Sequence, residues 1–268
     1  MSKLDRYRID PGSKVRLADR PTADDGGMQP EDGKAQHETL RERLIDLAEL
    51  LYAEHQRSLL VVLQAMDTAG KDSTIRAVFS GLNPAGCRVT SFKAPAGDEL
   101  AHNFLWRIQR ALPPRGDIGV FNRSHYEDII AVRVKGLRPE AVWRERYEHV
   151  NAFERLLHDE GTTVRKFYLH ISKDYQRGRL QKRLDNPKKH WKFDAADLTE
   201  RARWDEYMKA YESVLEKCSS KHAPWFVIPA EKRWYRDWLV TSILVETLEA
   251  LKMKYPEPNF DPRTITIP

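Results

Sequence analysis

Cysteine is almost absent. Cys87 and Cys218 are the whole complement, and no C-x-x-C pair occurs. Two thiols cannot build the framework of a disulfide-stapled secreted domain, and nothing here has the spacing of a zinc knuckle. They read instead as reduced, small core residues. Long apolar runs are missing as well: no uncharged stretch approaches the ~18 residues of a membrane-spanning helix. The opening MSKLDRYRIDPGSKVRLADR has no apolar centre, so it does not read as a secretory signal. There is no internal repeat and no low-complexity tract. The expectation is a cytoplasmic globular enzyme or binding protein that needs no membrane.

What is present is a chain of 268 residues with 41% hydrophobic and 32% charged side chains, enough for one large domain. Residues 1–36 are polar and punctuated by Gly and Pro, which predicts an irregular arm. Leu40, Leu44, Leu47 and Leu51 fall at helical spacing within 37–56. Continuous or alternating apolar runs predict five strands, at 58–65, 87–92, 117–122, 162–171 and 223–229. Helices are predicted over 73–80, 98–112, 139–158, from Ser172 to the break at Asn186-Pro187, from a capping box at Asp197–Glu200 to about 217, and over 231–252. Strands alternating with helices imply an α/β sandwich around a mostly parallel sheet. One domain over 37–256 and a tail over 257–268 complete the expected organisation.

The stretch LLVVLQAMDTAGKDSTIRAVF (59–79) runs from an apolar strand through a small loop into an amphipathic helix. That is the context of a phosphate-binding loop, in which backbone N–H groups and the helix dipole face an anion. Ala69, Gly70, Lys71, Asp72 and Ser73 form its turn. The pattern departs from G-x-x-x-x-G-K-[ST]: Ala65 replaces the first Gly, Asp72 follows Lys71, and Asp67 sits inside the loop. A bare carboxylate would repel phosphate. With Mg²⁺ between them the same carboxylate becomes a clamp, because Mg²⁺ takes one or two carboxylates plus phosphate oxygens; Mn²⁺ is an alternative. Asp67 could otherwise be a turn-stabilising residue.

Two further clusters follow. GVFNRSHYED (119–128) gathers Asn122, Arg123, Glu127 and Asp128 at the end of the third strand, where ligands of open α/β sheets bind. Arg123 offers a forked phosphate contact, and Asp128 is a second candidate metal ligand. Ser124 and Glu127 also fit an S-x-x-E capping box, which would give Glu127 a purely structural role. Residues 173–192 hold eight Lys or Arg against two Asp, a surplus larger than the +5 of the whole chain. On a helical wheel Arg179, Lys182 and Arg183 share one face, with Leu180 and Leu184 on a packing face beside it and Arg177 beyond them. Such a helix can close over phosphates as a lid, here about 172–197. Trp191 and Phe193 are expected to anchor its far end in the core.

These residues resemble the polyphosphate kinase 2 family. The likeness runs from about Leu50 to Pro256, through QAMDTAGKDSTI, VFNRSHYEDI, RYEHVNAFERLL, HISKDYQRGRLQKRLDNPKKHWKF and APWFVIPAEKRWYR. It implies a P-loop kinase-like three-layer sandwich with a five-stranded sheet and a helical lid. It implies Mg²⁺-dependent transfer of the terminal phosphate of inorganic polyphosphate to a nucleotide, with inorganic polyphosphate, AMP and ADP as partners, no nucleic acid, and a homo-oligomer, a tetramer built from dimers. Some members carry Asp where Asn122 stands and Asn near Glu127; N-R-S-H-Y-E-D looks like the subgroup that uses both AMP and ADP. By the same resemblance Asp67, Lys71, Arg123 and Arg183 are the catalytic candidates. Ala69, Gly70, Asp72, Ser73, Asn122, Glu127, Asp128, Arg177 and Lys182 are candidate substrate contacts, and Asp67 and Asp128 the metal ligands.

Two other readings remain open at this level. One is an ATP-dependent nucleotide kinase on the same scaffold. The other is a polyanion-binding protein without turnover, to which the basic segment is suited and the carboxylates at 67, 72, 127 and 128 are not.

Overall fold

The computed structural model describes residues 3–267; Met1 and Ser2 of the expected arm and Pro268 of the tail lie outside the described residues. Five strands form one sheet: β1 (Ser58–Ala65), β2 (Cys87–Ser91), β3 (Ile118–Asn122), β4 (Thr162–His170) and β5 (Trp225–Pro229). Their order is β2-β3-β1-β4-β5, and all four pairings are parallel. β1 is central, and its eight residues are buried throughout, as a run of SLLVVLQA requires of a strand covered on both faces. The register pairs Leu63 with Asn122, which sets the carboxyl ends of β1 and β3 side by side.

Helices cover both faces. On one, α1 (Pro30–Glu54) and α2 (Lys71–Phe79) pack against α9 (Arg233–Ala250). On the other, α4 (Glu127–Lys135) packs against α5 (Glu140–Asp159) and α8 (Trp204–Lys217). The chain leaves β1 toward the first face and β3 toward the second, so a crevice opens between their ends. The remaining helices are α3 (Trp106–Gln109), α6 (Lys173–Leu184) and α7 (Ala196–Ala202). Ser172 caps α6 as the sequence predicts, its side chain accepting from Tyr175 N. Among the described residues no helix is long and apolar enough to cross a membrane.

Several expectations need correction. α1 begins at Pro30, seven residues before the predicted start, because Pro at its first position is pre-set for a helix. The arm before it is irregular but packed. Tyr7, Ile9, Val15 and Leu17 are buried, and Ile9 N donates to Trp225 O (2.8 Å), covering the outer edge of β5. The helix predicted over 98–112 is a 3₁₀ turn at Gly97–Ala101 followed by short α3. Asp197 and Glu200 do not form a capping box. Asp197 pairs with Arg183 (3.1 Å) and Glu200 with Lys135 (2.7 Å), and the helix breaks at Arg203. Trp191 is 78% exposed and Leu184 also faces solvent, so the lid's far end is not anchored as expected; Leu180 is the buried one. The two thiols are free, with Cys218 buried and Cys87 partly so.

Beneath the site lies a fully buried ion pair. Lys166 Nζ on β4 donates to Glu154 Oε2 on α5 (2.5 Å), to Tyr126 Oη (2.9 Å) and to Cys218 O (2.5 Å). Tyr126 Oη donates to Glu154 Oε1 (2.8 Å), and His125 Nε2 lies 3.3 Å from the same oxygen. This satisfies each charge and fixes the start of α4 from below. It also settles His125 and Tyr126 as core residues. Lys166→Met should lower unfolding free energy by about 3–5 kcal/mol, because it strands a buried carboxylate. The Lys166→Met/Glu154→Leu pair should recover part of that loss. Urea denaturation of the three variants checks both statements.

Candidate active site

The loop after β1 takes a sharp path. Thr68 (φ 69°) and Gly70 (φ 103°) are both left-handed. A Cβ on Gly70 would lie 2.3 Å from Arg236 Nη1 and 2.9 Å from Ser73 Oγ, so only glycine fits. Arg236 on α9 is buried beneath the turn: Nη2 donates to Ser73 Oγ (3.2 Å), Nη1 reaches Ala69 O (3.4 Å), and Nε donates to Asp237 (2.8 Å). Lys71 opens α2 and folds back, Nζ donating to Ala65 O (3.2 Å). Its burial lowers its pKa against the pull of Asp67. The Thr68 hydroxyl is buried without a partner.

The loop after β3 meets this turn from the side. Arg123 is also left-handed (φ 63°), and its N donates to Leu63 O (3.0 Å). Its Nη2 donates to Asp67 Oδ1 (2.7 Å). Burial works against the Asp67 carboxylate, but Lys71 and Arg123 outweigh it and hold the group below the usual carboxylate range. Glu127 goes the other way, because burial outweighs Arg123 and Lys71 and lifts it. Glu127 is not a capping residue. α4 starts at Glu127 itself, Ser124 Oγ accepts from Tyr126 N, and the Glu127 side chain lines a cavity. With the Gln64 amide turned to satisfy both its ends, its nitrogen donates to Glu127 Oε1 (2.9 Å). Asn122 Nδ2 donates to Asp72 Oδ1 (2.7 Å), steadying the residue that replaces the usual Ser/Thr.

Two cavities meet at the Asp67–Arg123 pair. The larger, about 690 Å³, is walled by Lys71, Arg76, Lys93, Arg123, Arg179, Arg183, Lys189, Lys192 and Arg233 against Asp67 and Asp72. The smaller, about 70 Å³, lies between Asp67, Arg123, Glu127, Tyr207 and Tyr211, with Lys135 and Glu200 across its mouth. The lid is tied to the loop: Gln176 Nε2 on α6 donates to Asp67 O (3.1 Å). Arg183 is aimed by its bond to Lys192 O (2.8 Å) and its pair with Asp197. Nine cations against two carboxylates give the larger cleft a charge balance suited to an extended polyanion.

The matches to known proteins agree with this geometry. The family model "Polyphosphate kinase 2 (PPK2)" matches residues 27–256. The chain belongs to the polyphosphate kinase 2 family. It is 53% identical over 268 residues to an AMP/ADP-polyphosphate phosphotransferase of Meiothermus ruber, covering 98% of this chain and all of that one. It is 47% identical to an ADP-polyphosphate phosphotransferase of Rhodopseudomonas palustris, covering 95% and 93%. The crystal structure of polyphosphate kinase 2 from Arthrobacter aurescens TC1 superposes with a TM-score of 0.93 at 43% identity, covering 97% of this chain and 94% of that one.

Within this family fold the structure brings together Asp67, Gly70, Lys71, Asp72, Ser73, Asn122, Arg123, Glu127 and Arg183. It places four expected residues elsewhere. Asp128 is buried between Arg107 (3.3 Å) and Arg146 (3.7 Å), on neither cavity wall, because Arg107 and Arg146 approach α4 from its outer side. Ala69 turns its side chain inward, and its N–H is bonded to Met66 O. Arg177 and Lys182 are exposed on α6 and lie outside the cleft wall. Sequence reasoning missed Arg76, Lys93, Arg233, Tyr207, Tyr211 and the scaffold residue Arg236. Arg233 and Arg236 lie within the APWFVIPAEKRWYR signature, which was the available signal. Gly70→Ala should slow turnover by about a hundredfold, since roughly 1 Å of displacement at a transfer site has that cost. Steady-state kinetics beside a thermal melt will test this; a near-normal rate would show that the loop is not fixed by its contact with Arg236.

Proposed function

We propose that this chain transfers the terminal phosphate of inorganic polyphosphate to AMP and then to ADP, giving ADP and ATP. The single observation that carries the reading is the pairing of two unlike cavities across Asp67 and Arg123. The larger suits a donor that is charged along its whole length. The smaller, with two tyrosines and mixed polarity, suits an acceptor nucleotide. The full-length likeness to a relative named for AMP and ADP supports the two-acceptor form.

The side chains do what phosphoryl transfer needs, which is positioning and charge neutralisation. Lys71 and Arg183 hold the donor phosphate while charge spreads over its oxygens. Arg123 bridges donor and acceptor at the junction. The acceptor is an ionised phosphate, so no strong general base is needed. Asp67 is the protein's candidate ligand for Mg²⁺ or Mn²⁺. It stays ionised, one oxygen is committed to Arg123, and a metal sharing it with phosphate oxygens needs only one or two carboxylates. No group of three or more potential metal-ligating His, Cys, Asp or Glu occurs among the described residues, so the substrate phosphates would complete the shell. When bound, the metal neutralises phosphate charge and aligns the reacting oxygens. Cytoplasmic location and a tetramer built from dimers belong to this reading, supported by the free thiols and by the family resemblance respectively.

A time course with AMP, Mg²⁺ and long-chain polyphosphate should show ADP first and ATP after it, by anion-exchange separation. Product formed from ATP as donor but not from polyphosphate would move the protein to the ordinary nucleotide kinases, and no product with either would leave a binding protein. Chelation with EDTA should abolish transfer, and added Mg²⁺ or Mn²⁺ should restore it. In Asp67→Ala kcat should fall by at least about a hundredfold, the scale for losing one electrostatic element, at any Mg²⁺ concentration.

A further inference from the structure

A second groove of about 560 Å³ runs beside the donor cleft and shares its Ser91, Phe92 and Lys93 wall. Arg88, on edge strand β2, and Arg110, just after α3, stand along it. Some surface cations elsewhere are neutralised in ion pairs, Arg41 with Glu38, Arg43 with Glu249, Arg144 with Glu140 and Arg203 with Glu206. Arg88, Lys93 and Arg110 have no carboxylate partner among the described residues. Of the groove's own carboxylates Glu99 is paired with Arg107 (3.4 Å), and Asp98 is exposed at the rim, 3.8 Å from His102. Arg110 is laid over the Trp106 ring (4.7 Å to its centroid), and Trp106 in turn stacks on His102 (4.0 Å). This holds the guanidinium flat while its N–H edge stays available to phosphate oxygens.

Unpaired cations gathered in one concavity repel one another, a cost that an anionic ligand removes. We propose that this groove is a donor-extension subsite: Arg88 and Arg110 bind the distal phosphates of a long polyphosphate chain as it leaves the donor cleft past Lys93. The inference rests on the proposed function and adds to it a basis for chain-length preference. A donor short enough to fit within the first cavity never meets Arg88 or Arg110. A longer one gains their contacts without any change at the reacting phosphate, so the gain falls on KM and not on kcat.

The test compares long-chain polyphosphate with a short linear one, such as tripolyphosphate, as donor for ADP. In Arg88→Glu/Arg110→Glu the ratio of kcat/KM for long over short donor should fall by about tenfold, within the range of local electrostatic enrichment, through KM for the long chain. The salt dependence of long-chain binding should also become shallower by about two contacts. The milder Arg88→Gln/Arg110→Gln variant gives the same readout if charge reversal impairs folding. An unchanged ratio would overturn the proposal, as would an equal fall for both donors, which would signify a general field effect. Absence of transfer from either donor by the unaltered protein would instead be a failure of the proposed function itself, and of this subsite with it.

Discussion

The bond between Asp67 and Arg123 is the point on which the site depends. It joins the two loops that leave neighbouring strands toward opposite faces of the sheet, and each loop is held in a left-handed backbone conformation beside it. Non-glycine residues in that region occur only where the surroundings over-determine them. The surroundings here are identifiable: Arg236 fills the space under Gly70, the β1–β3 register fixes Asn122, and Gln176 ties the lid helix to the Asp67 carbonyl. Loop, second motif and lid therefore converge on one carboxylate. That explains a residue which, in isolation, looks wrong for a phosphate cradle. Asp67 is tolerated there because Lys71 and Arg123 neutralise it, and the same pairing keeps it ionised.

The placement of charge follows a division between support and function. Below the site, every buried charge has a partner: Lys166 with Glu154, and Asp128 with Arg107 and Arg146. Buried ions left single would cost several kcal/mol each. Within the cleft the cations outnumber the carboxylates by a wide margin, and an anion would relieve their mutual repulsion. Asp128 illustrates the boundary. It lies one residue from Glu127, yet one turns toward the cavity and the other toward an arginine pair on the outer side of α4.

How much of this was legible in the sequence depended on how local the cause was. The five strands were readable because apolar continuity is written into consecutive residues, and the Ser172 cap because a cap needs only three or four neighbours. The reach of α6's charges was half readable: the wheel put Arg179, Lys182 and Arg183 together, but the cleft takes Arg179 and Arg183 and leaves Lys182 in solvent. Which face packs is decided by helices far away in the chain. Ser124 and Glu127 satisfied a local capping pattern that the structure overrides, because Gln64 and the cavity claim the Glu127 carboxylate. The Asp197–Glu200 box failed for the same reason, its two acids being taken by Arg183 and Lys135. Arg236 was beyond any local signal, since its role exists only where α9 crosses under a loop formed far earlier in the sequence.

The two cavities differ in a way that bears on the use of two acceptors. The donor cleft is open and large, and its walls carry charge on long side chains. The smaller cavity, proposed for the acceptor, has about 70 Å³, well below the roughly 300 Å³ or more typical of small-molecule sites. Its mouth is closed by Lys135 and Glu200, side chains that meet from α4 and from the lid-side helix α7. On the proposed reading a nucleotide parts that pair on entry. A partly exposed ion pair is a weak closure, contributing no more than about 1 kcal/mol, so the opening is energetically modest. AMP and ADP place their terminal phosphates at different distances from the base. A rigid pocket would align only one of them with Arg123. On the proposed reading the Lys135–Glu200 pair is the part of the wall that yields to a longer or shorter nucleotide, while Glu127, Tyr207 and Tyr211 from α4 and α8 and the turn held by buried Arg236 keep the reacting centre still.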